Sequence, residues 1–445
     1  MKKILVIGAG LSSSYLIKYL TSQALQNNWQ VTVADSDKEV AGQKINGAAN
    51  AFAIPLNANN TDDINQAVST HDIVISMLPP FMHIAIAKAC IMHKKHLVTA
   101  SYVSEEMHQL HGEALRAGVL LLNECGLDPG IDHLSAMKLI DGIKKEGGTI
   151  DAFKSFCGGL IAPEYDDNPW NYKFTWNPRN VVLAGQATAK YLEHNELKFI
   201  PPQRIFIQTE PVHVAGYGDY ESYANRDSLG YIAPYGIETA HTVLRGTLRK
   251  KGYSNAWNGL VKLGLTDDSF IIHDAGQLTY RSWLSAFTPG TGIHALEKRV
   301  CDFLNINRND DLFKKLHWLG LFSEEKIAMN EASPAAILQH LLQQKWKLQK
   351  GELDMIVMHH EIEATINEEK RKISSSLVVK GEDEVLTAMA KTVGLPMAIA
   401  CKLILTDKIT ARGVHIPISA EFYDPILEEL EQFGVKFEER EVDLS

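Results

Sequence analysis

An α/β protein is predicted: an N-terminal doubly wound parallel sheet, followed by a mixed α+β domain that carries a helical section. Three observations predict it. A short apolar run, Ile4-Leu5-Val6-Ile7, leads directly into Gly8-x-Gly10 and then into a helical pattern. Further apolar runs recur with helical segments between them as far as residue 125, the alternation that a doubly wound sheet requires. After Asn123 the rhythm breaks at a turn-rich junction, Glu124 to His133 (ECGLDPGIDH).

The first run is continuous, as expected of a parallel strand buried on both faces. Tyr15, Leu16, Tyr19 and Leu20 then repeat at helical spacing. Strand, glycine turn and helix in that order form the dinucleotide-binding context of a Rossmann domain. Gly8 permits the tight turn, and Gly10 lets backbone approach a pyrophosphate at the helix N-terminus. Gly8, Gly10, Leu11 and Ser12 are the candidate cofactor contacts of this turn. Ser13 stands where a third glycine is usual, and is still small. The second strand, QVTVA, ends at Asp35, 25 residues past Gly10. An acid there can bond the ribose hydroxyls of NAD and would repel the 2′-phosphate of NADP. The expected cofactor is therefore NAD or NADP, with Asp35 leaning toward NAD. The alternative role for Asp35 is to cap the turn Asp35-Ser36-Asp37. Ile73-Val74-Ile75 is a further strand, left by the stiff loop Ser76 to Pro80. HLVTASY (His96 to Tyr102) and VLLLN (Val119 to Asn123) complete the series. Ligands of such sheets lie beyond the carboxyl ends of the strands. That gathers Gly8, Asp35, Leu78, Pro79, Ser101, Tyr102, Gly126, Leu127 and Asp128 around one crevice.

The domain boundaries read as 1–128 for the Rossmann domain and 129–392 for the substrate-binding and dimerisation domain, with its helical section over 236–350. Residues 393–445 are expected to pack back on the first domain. Phe153 to Glu164 looks like a strand broken by Gly158-Gly159. Residues 200–225 and 350–382 alternate like strands. Glu384 to Leu405 is a long apolar helical stretch interrupted by Gly394-Leu395-Pro396. A short strand is expected at Val435-Lys436-Phe437.

The net charge of −10 argues against nucleic acid or an anionic membrane as partner, since both want a basic footprint. It leaves room for an anionic substrate in a locally basic pocket. Cys90, Cys125, Cys157, Cys301 and Cys401 are scattered and form no CxxC pair, which fits a reducing compartment. The four-residue run after Met1-Lys2-Lys3 is too short for a signal peptide, and no stretch reaches the ~20 apolar residues of a membrane span. The expectation is a cytoplasmic protein. His359-His360-Glu361 follows a β-patterned run, so the two imidazoles would face opposite ways. No metal site is expected. Trp170, Tyr172 and Trp176 form an aromatic cluster for which core or interface packing is the default reading.

Several long blocks resemble one family. GLDPGIDH (Gly126 to His133), KSFCGGLIAPE (Lys154 to Glu164), DNPWNYKFTWNPRNVVLAG (Asp167 to Gly185), YANRDS (Tyr223 to Ser228) and RGTLR (Arg245 to Arg249) resemble the signature blocks of the glutamate-forming saccharopine dehydrogenases. The likeness runs from the glycine turn to VGLPMAIA (Val393 to Ala400). It implies reversible hydride transfer at a secondary amine. Saccharopine, NAD(P)⁺ and water would give glutamate, 2-aminoadipate 6-semialdehyde and NAD(P)H. It also implies a homodimer and a small amino-acid substrate.

Saccharopine bears three carboxylates, which arginine holds best through its planar fork. Arg226 and Arg249 match substrate-contact positions of the family, and Arg179 is a weaker third candidate. Ser101, Tyr102 and Asp128 match further substrate positions, with Thr247 and Leu248 flanking Arg249. Asp128 can hold an ammonium group or exchange a proton with the substrate nitrogen. Before Pro129-Gly130 it is also a natural turn former. The acid–base group that imine hydrolysis needs is sought among Asp128, His133, Cys157 and Tyr102. For Cys157 the competing reading is an inert buried thiol, and for His133 a backbone hydrogen bond. A carboxynorspermidine-type amine dehydrogenase is the rival enzyme. A non-catalytic dinucleotide-binding protein is the rival of another class.

Overall fold

The computed structural model describes residues 1–292 and 295–443. The apolar runs of the N-terminal part become β1 (Lys2–Ile7), β2 (Trp29–Asp35), β3 (Ala51–Pro55), β4 (Ile73–Ser76), β5 (His96–Thr99) and β6 (Leu120–Leu122). The second part supplies β7 (Thr149–Ile161), β8 (Ala189–Glu193), β9 (Glu196–Ile200), β10 (Thr209–Val214), β11 (Gly218–Ala224), β12 (Thr242–Arg249), β13 (Asp354–Ile366) and β14 (Glu369–Lys380). The chain closes with β15 (Gly413–His415) and β16 (Phe437–Asp443).

The first sheet has seven parallel strands in the order β15-β6-β5-β4-β1-β2-β3. The strand order reverses between β1 and β4, and ligands bind in the crevice at such a switch point. The second sheet runs β10-β11-β12-β7-β13-β14-β16, with β8 pairing β12 and β9 beside it. Only the β12–β7 pair in it is parallel.

Four expectations are corrected. The strand over Gly158-Gly159 is unbroken. A Cβ on Gly158 would lie 2.6 Å from the Leu248 carbonyl oxygen, and one on Gly159 2.7 Å from Met389. The glycines serve close approach rather than a break. The helix Ala388–Leu405 also runs straight through Pro396. Gly394 lets it press on the glycine-turn helix, since a Cβ would meet the Leu16 backbone nitrogen at 2.8 Å. The section expected to be helical from residue 236 opens with β12, whose neighbours β7 and β11 supply the hydrogen-bond ladder. Finally, β15 joins the first sheet, but β16 pairs with β14 of the second, so the chain's return serves both sheets.

Ala388–Leu405 is long and apolar enough to cross a membrane by length and composition, yet 78% of it is buried inside the fold. Its start is fixed by charge and hydrogen bonds. Asp354 accepts from the Ala388 and Met389 N–H groups at 2.6 and 2.9 Å, and Thr387 caps Ala390. Both interactions satisfy helix N–H groups that have no partner within the helix. A second core fills the helical section around Trp170, Trp257, Trp283 and Trp346. Tyr172 packs in it as well.

Candidate functional site

The crevice is built at the carboxyl edge of the first sheet. Gly8 takes φ +101°, and a Cβ there would lie 3.2 Å from the Met77 backbone, so the loops after β1 and β4 touch at the switch point. Gly10 has open space where a Cβ would sit, with nothing within 4 Å. Leu11 beside it is exposed. The open space at Gly10 fits the close approach of a dinucleotide's pyrophosphate; Ser12 follows in the same turn, and Leu78 and Pro79 follow β4. Gly126, followed by the buried Leu127, packs against the loop after β5, where a Cβ would strike Ala100 at 2.8 Å.

Asp35 is engaged. One carboxylate oxygen accepts from the Ala9 N–H at 2.8 Å. The other accepts from the Asp37 N–H at 3.1 Å and the Ser36 hydroxyl at 3.2 Å. The turn-capping role considered for this residue is therefore present.

The second sheet supplies the floor. Arg245, Thr247 and Arg249 alternate along β12 and so share one face. Cys157 is the register partner of Thr247 across β7. Leu248 points to the opposite face, into the cluster with Phe156 and Leu160. Its carbonyl accepts from the Arg249 guanidinium at 2.8 Å.

Above this floor opens a cleft of about 660 Å³, lined among others by Tyr102, Glu124, Lys190, Arg226, Tyr231 and Arg245. Arg226 is exposed and lies over the Tyr102 ring, 5.3 Å from its centroid. Arg249 is buried in a box of Tyr172, Tyr223 and Tyr253, at 5.0, 5.8 and 5.3 Å. Its Nε has no hydrogen-bond partner. Arg179 is ion-paired with Asp268 of the helical section and does not line the cleft.

The residue that organises the site was not among those singled out from the sequence. Arg245, only 3% exposed, donates through one nitrogen to both Asp128 and Asp132, the latter at 2.7 Å. Its guanidinium also stacks on Tyr231, 4.5 Å from the ring centroid. Two carboxylates thus share one cation. Burial and the nearby Asp132 charge push Asp128 up, against the pull of Arg245. Burial acts on Asp132 too, but His133, Arg245 and the Gly130 N–H bring it below its ordinary value. Asp128 is therefore the carboxyl of the pair that takes up a proton more readily. It lies 3.4 Å from the Tyr102 hydroxyl. Burial raises that phenol well above its usual range.

His133 is fully buried between Glu124 (2.8 Å) and the Tyr235 hydroxyl (2.5 Å). Its expected backbone bond is replaced by side-chain partners, and its ring also lies 5.2 Å from that of Tyr231, which lines the cleft. Burial drives the Cys157 thiol well up, reinforced by Asp128 and Asp132, which favours the inert buried thiol over an acid–base role. Ser101 is held by His83, whose Nε2 lies 2.7 Å from its hydroxyl. His359 bonds Ser376, whereas His360 bonds Ser135.

Residues 126–435 match a family model described as the saccharopine dehydrogenase C-terminal domain, and residues 4–122 one described as its NADP binding domain. The chain is 34% identical, over the whole of both chains, to the saccharopine dehydrogenase [NADP(+), L-glutamate-forming] of Schizosaccharomyces pombe. It is 36% identical to the mitochondrial alpha-aminoadipic semialdehyde synthase of Mus musculus, over 98% of this chain and 47% of that one. The chain thus spans about half the length of such mammalian relatives. An apo saccharopine dehydrogenase (L-Glu forming) structure from Saccharomyces cerevisiae superposes with a TM-score of 0.88 at 30% identity, covering 99% of this chain and all of that one. The lean toward NAD drawn from Asp35 finds no support here: the N-terminal family model is an NADP binding domain, and the Schizosaccharomyces pombe relative is named for NADP(+).

Proposed function

We propose that this chain, which belongs to the saccharopine dehydrogenase family, oxidises saccharopine with NADP⁺ to glutamate and 2-aminoadipate 6-semialdehyde. The observation that carries this reading is the floor of the cleft. Tyr102 and Asp128 meet beside the cleft that Arg226 and Arg245 line, and the buried Arg249 lies farther along the same face of β12 as Arg245. Two arginines suit a substrate with carboxylates at both ends, and argue against a carboxynorspermidine-type substrate. The dinucleotide would accept hydride. The chain's own residues bind the carboxylates and hold a proton at Asp128.

In the balanced step, hydride leaves C6 of the lysine moiety and the nitrogen lone pair forms C=N. Water then adds to C6, the C6–N bond breaks, and the nitrogen leaves with glutamate after taking a proton. Asp128, beside the Tyr102 hydroxyl, is the group suited to move that proton. Exposed Leu197, Phe199 and Ile207 around the β8–β9 hairpin support a homodimer. Five free buried cysteines support a reducing, cytoplasmic setting.

The reverse reaction tests the chemistry. With glutamate, the semialdehyde and NADPH deuterated at C4, mass spectrometry should find the deuterium on C6 of saccharopine. Deuterium on the glutarate carbon bound to nitrogen, or no saccharopine at all, would overturn the reading.

A further inference from the structure

One carboxylate outside the assigned contacts ties the two halves of the site together. Glu124 sits at the junction between the sheets, buried, with φ +53°. Left-handed backbone is uncommon for a non-glycine residue and persists only where surrounding structure fixes it. Here the fixing is visible. The Glu124 N–H donates to the Ser101 carbonyl at 3.1 Å, and one carboxylate oxygen accepts from the Val103 N–H at 2.9 Å. The residue therefore clips the chain on both sides of Tyr102. Its other oxygen accepts from the Tyr231 hydroxyl at 3.0 Å and bonds His133 at 2.8 Å.

Both arms end at the same place. The Tyr102 hydroxyl reaches Asp128, and the Tyr231 ring lies under Arg245, which donates to Asp128. We infer that Glu124 is a positioning residue for Asp128, setting its two polar neighbours from the first-domain loop and from the second domain at once. The inference rests on the proposed function only in taking Asp128 as the proton-holding group. The groups that face Asp128 are Arg245, Asp132, Tyr102, His133 and Cys157. Those that face Glu124 are Val103, His133 and Tyr231. Only Tyr102, Arg245 and His133 carry Glu124's placement to Asp128.

The variant Tyr231→Phe removes one hydroxyl and keeps the ring beneath Arg245. It should fold, and should lower kcat about tenfold with the saccharopine KM changed less than about threefold. Its pH profile should shift by about one unit. Glu124→Gln, with one accepting oxygen in place of two, should lose more, and Glu124→Asp should recover part of the loss. A readout independent of turnover accompanies these. In protein labelled with ¹³C at aspartate carboxyls, the Asp128 signal is identified by its loss in Asp128→Asn. In Tyr231→Phe it should titrate at a different pH from wild type. An unmoved Asp128 titration in both Tyr231→Phe and a folded Glu124 variant overturns this inference, whatever the substrate. Inactivity of the wild type with saccharopine overturns the functional reading instead.

Discussion

Replacing Arg245 by Met should leave Asp128 and Asp132 facing each other without their shared cation. At the 2.7 Å separation of Arg245 and Asp132, an effective dielectric of about 20 gives roughly 6 kcal/mol of attraction, offset by the cost of desolvating both groups. Deleting one partner of such a buried pair costs ~3–5 kcal/mol, because the remaining charge stays buried. Here two carboxylates remain, so the variant should take up a proton. The folded-state pKa of the pair then lies above the unfolded value. Stability is retained at low pH and lost as pH rises through the raised pKa. Urea unfolding at pH 5.5 and pH 8 reads this directly. At pH 8 the variant should be less stable than wild type by about 3–5 kcal/mol, with a smaller deficit at pH 5.5. Arg245→Lys should recover only part, since a point charge does not reproduce the planar fork. A deficit below about 1 kcal/mol at pH 8, typical of an exposed pair, would refute the reasoning.

Three further outcomes are expected. Arg226→Ala should raise the saccharopine KM about 10–100-fold, the loss of one charge-assisted contact. It should leave the dinucleotide Kd unchanged, read by fluorescence titration. Cys157→Ala should keep kcat within about twofold, because a buried neutral thiol behaves as a small apolar group; a larger fall in steady-state rate would restore it as an acid–base candidate. His83 is buried and its pKa is pushed down to about 4 by that burial. The unfolded chain binds the proton first, so stability present near neutrality is lost as pH falls from 6.5 toward 4. Between pH 7 and pH 4.5 wild type should lose about 2–3 kcal/mol more than His83→Gln in urea titrations.

The first sheet was readable because its strands are continuous apolar runs bounded by turn residues, with Gly8 and Gly10 in the one context that gives them meaning. The strand Ala51–Pro55 is an edge strand: its run AFAIP is apolar but short and ends in proline, and no residue of it is buried. The β8–β9 hairpin carries little apolar signal, since most of its side chains are exposed or half-buried. Gly158, Gly159 and Gly394 misled, because glycine signals a break locally but here admits a neighbouring element from far along the chain. At the site, Arg226, Arg249, Tyr102 and Asp128 were found through family-like blocks. Arg245 lay inside one of them and was passed over. Its signal was the two-residue alternation with Thr247 and Arg249, which becomes visible once RGTLR is read as a strand. Asp132 lies inside GLDPGIDH and Glu124 just before it, but their roles arise only where the two sheets meet.

The most direct test of the account is absorbance at about 340 nm, where reduced nicotinamide absorbs, with purified protein, saccharopine and either NADP⁺ or NAD⁺. Saccharopine-dependent reduction is expected, faster with NADP⁺. Absence of reduction with both dinucleotides, in folded protein shown to bind one of them, would contradict it.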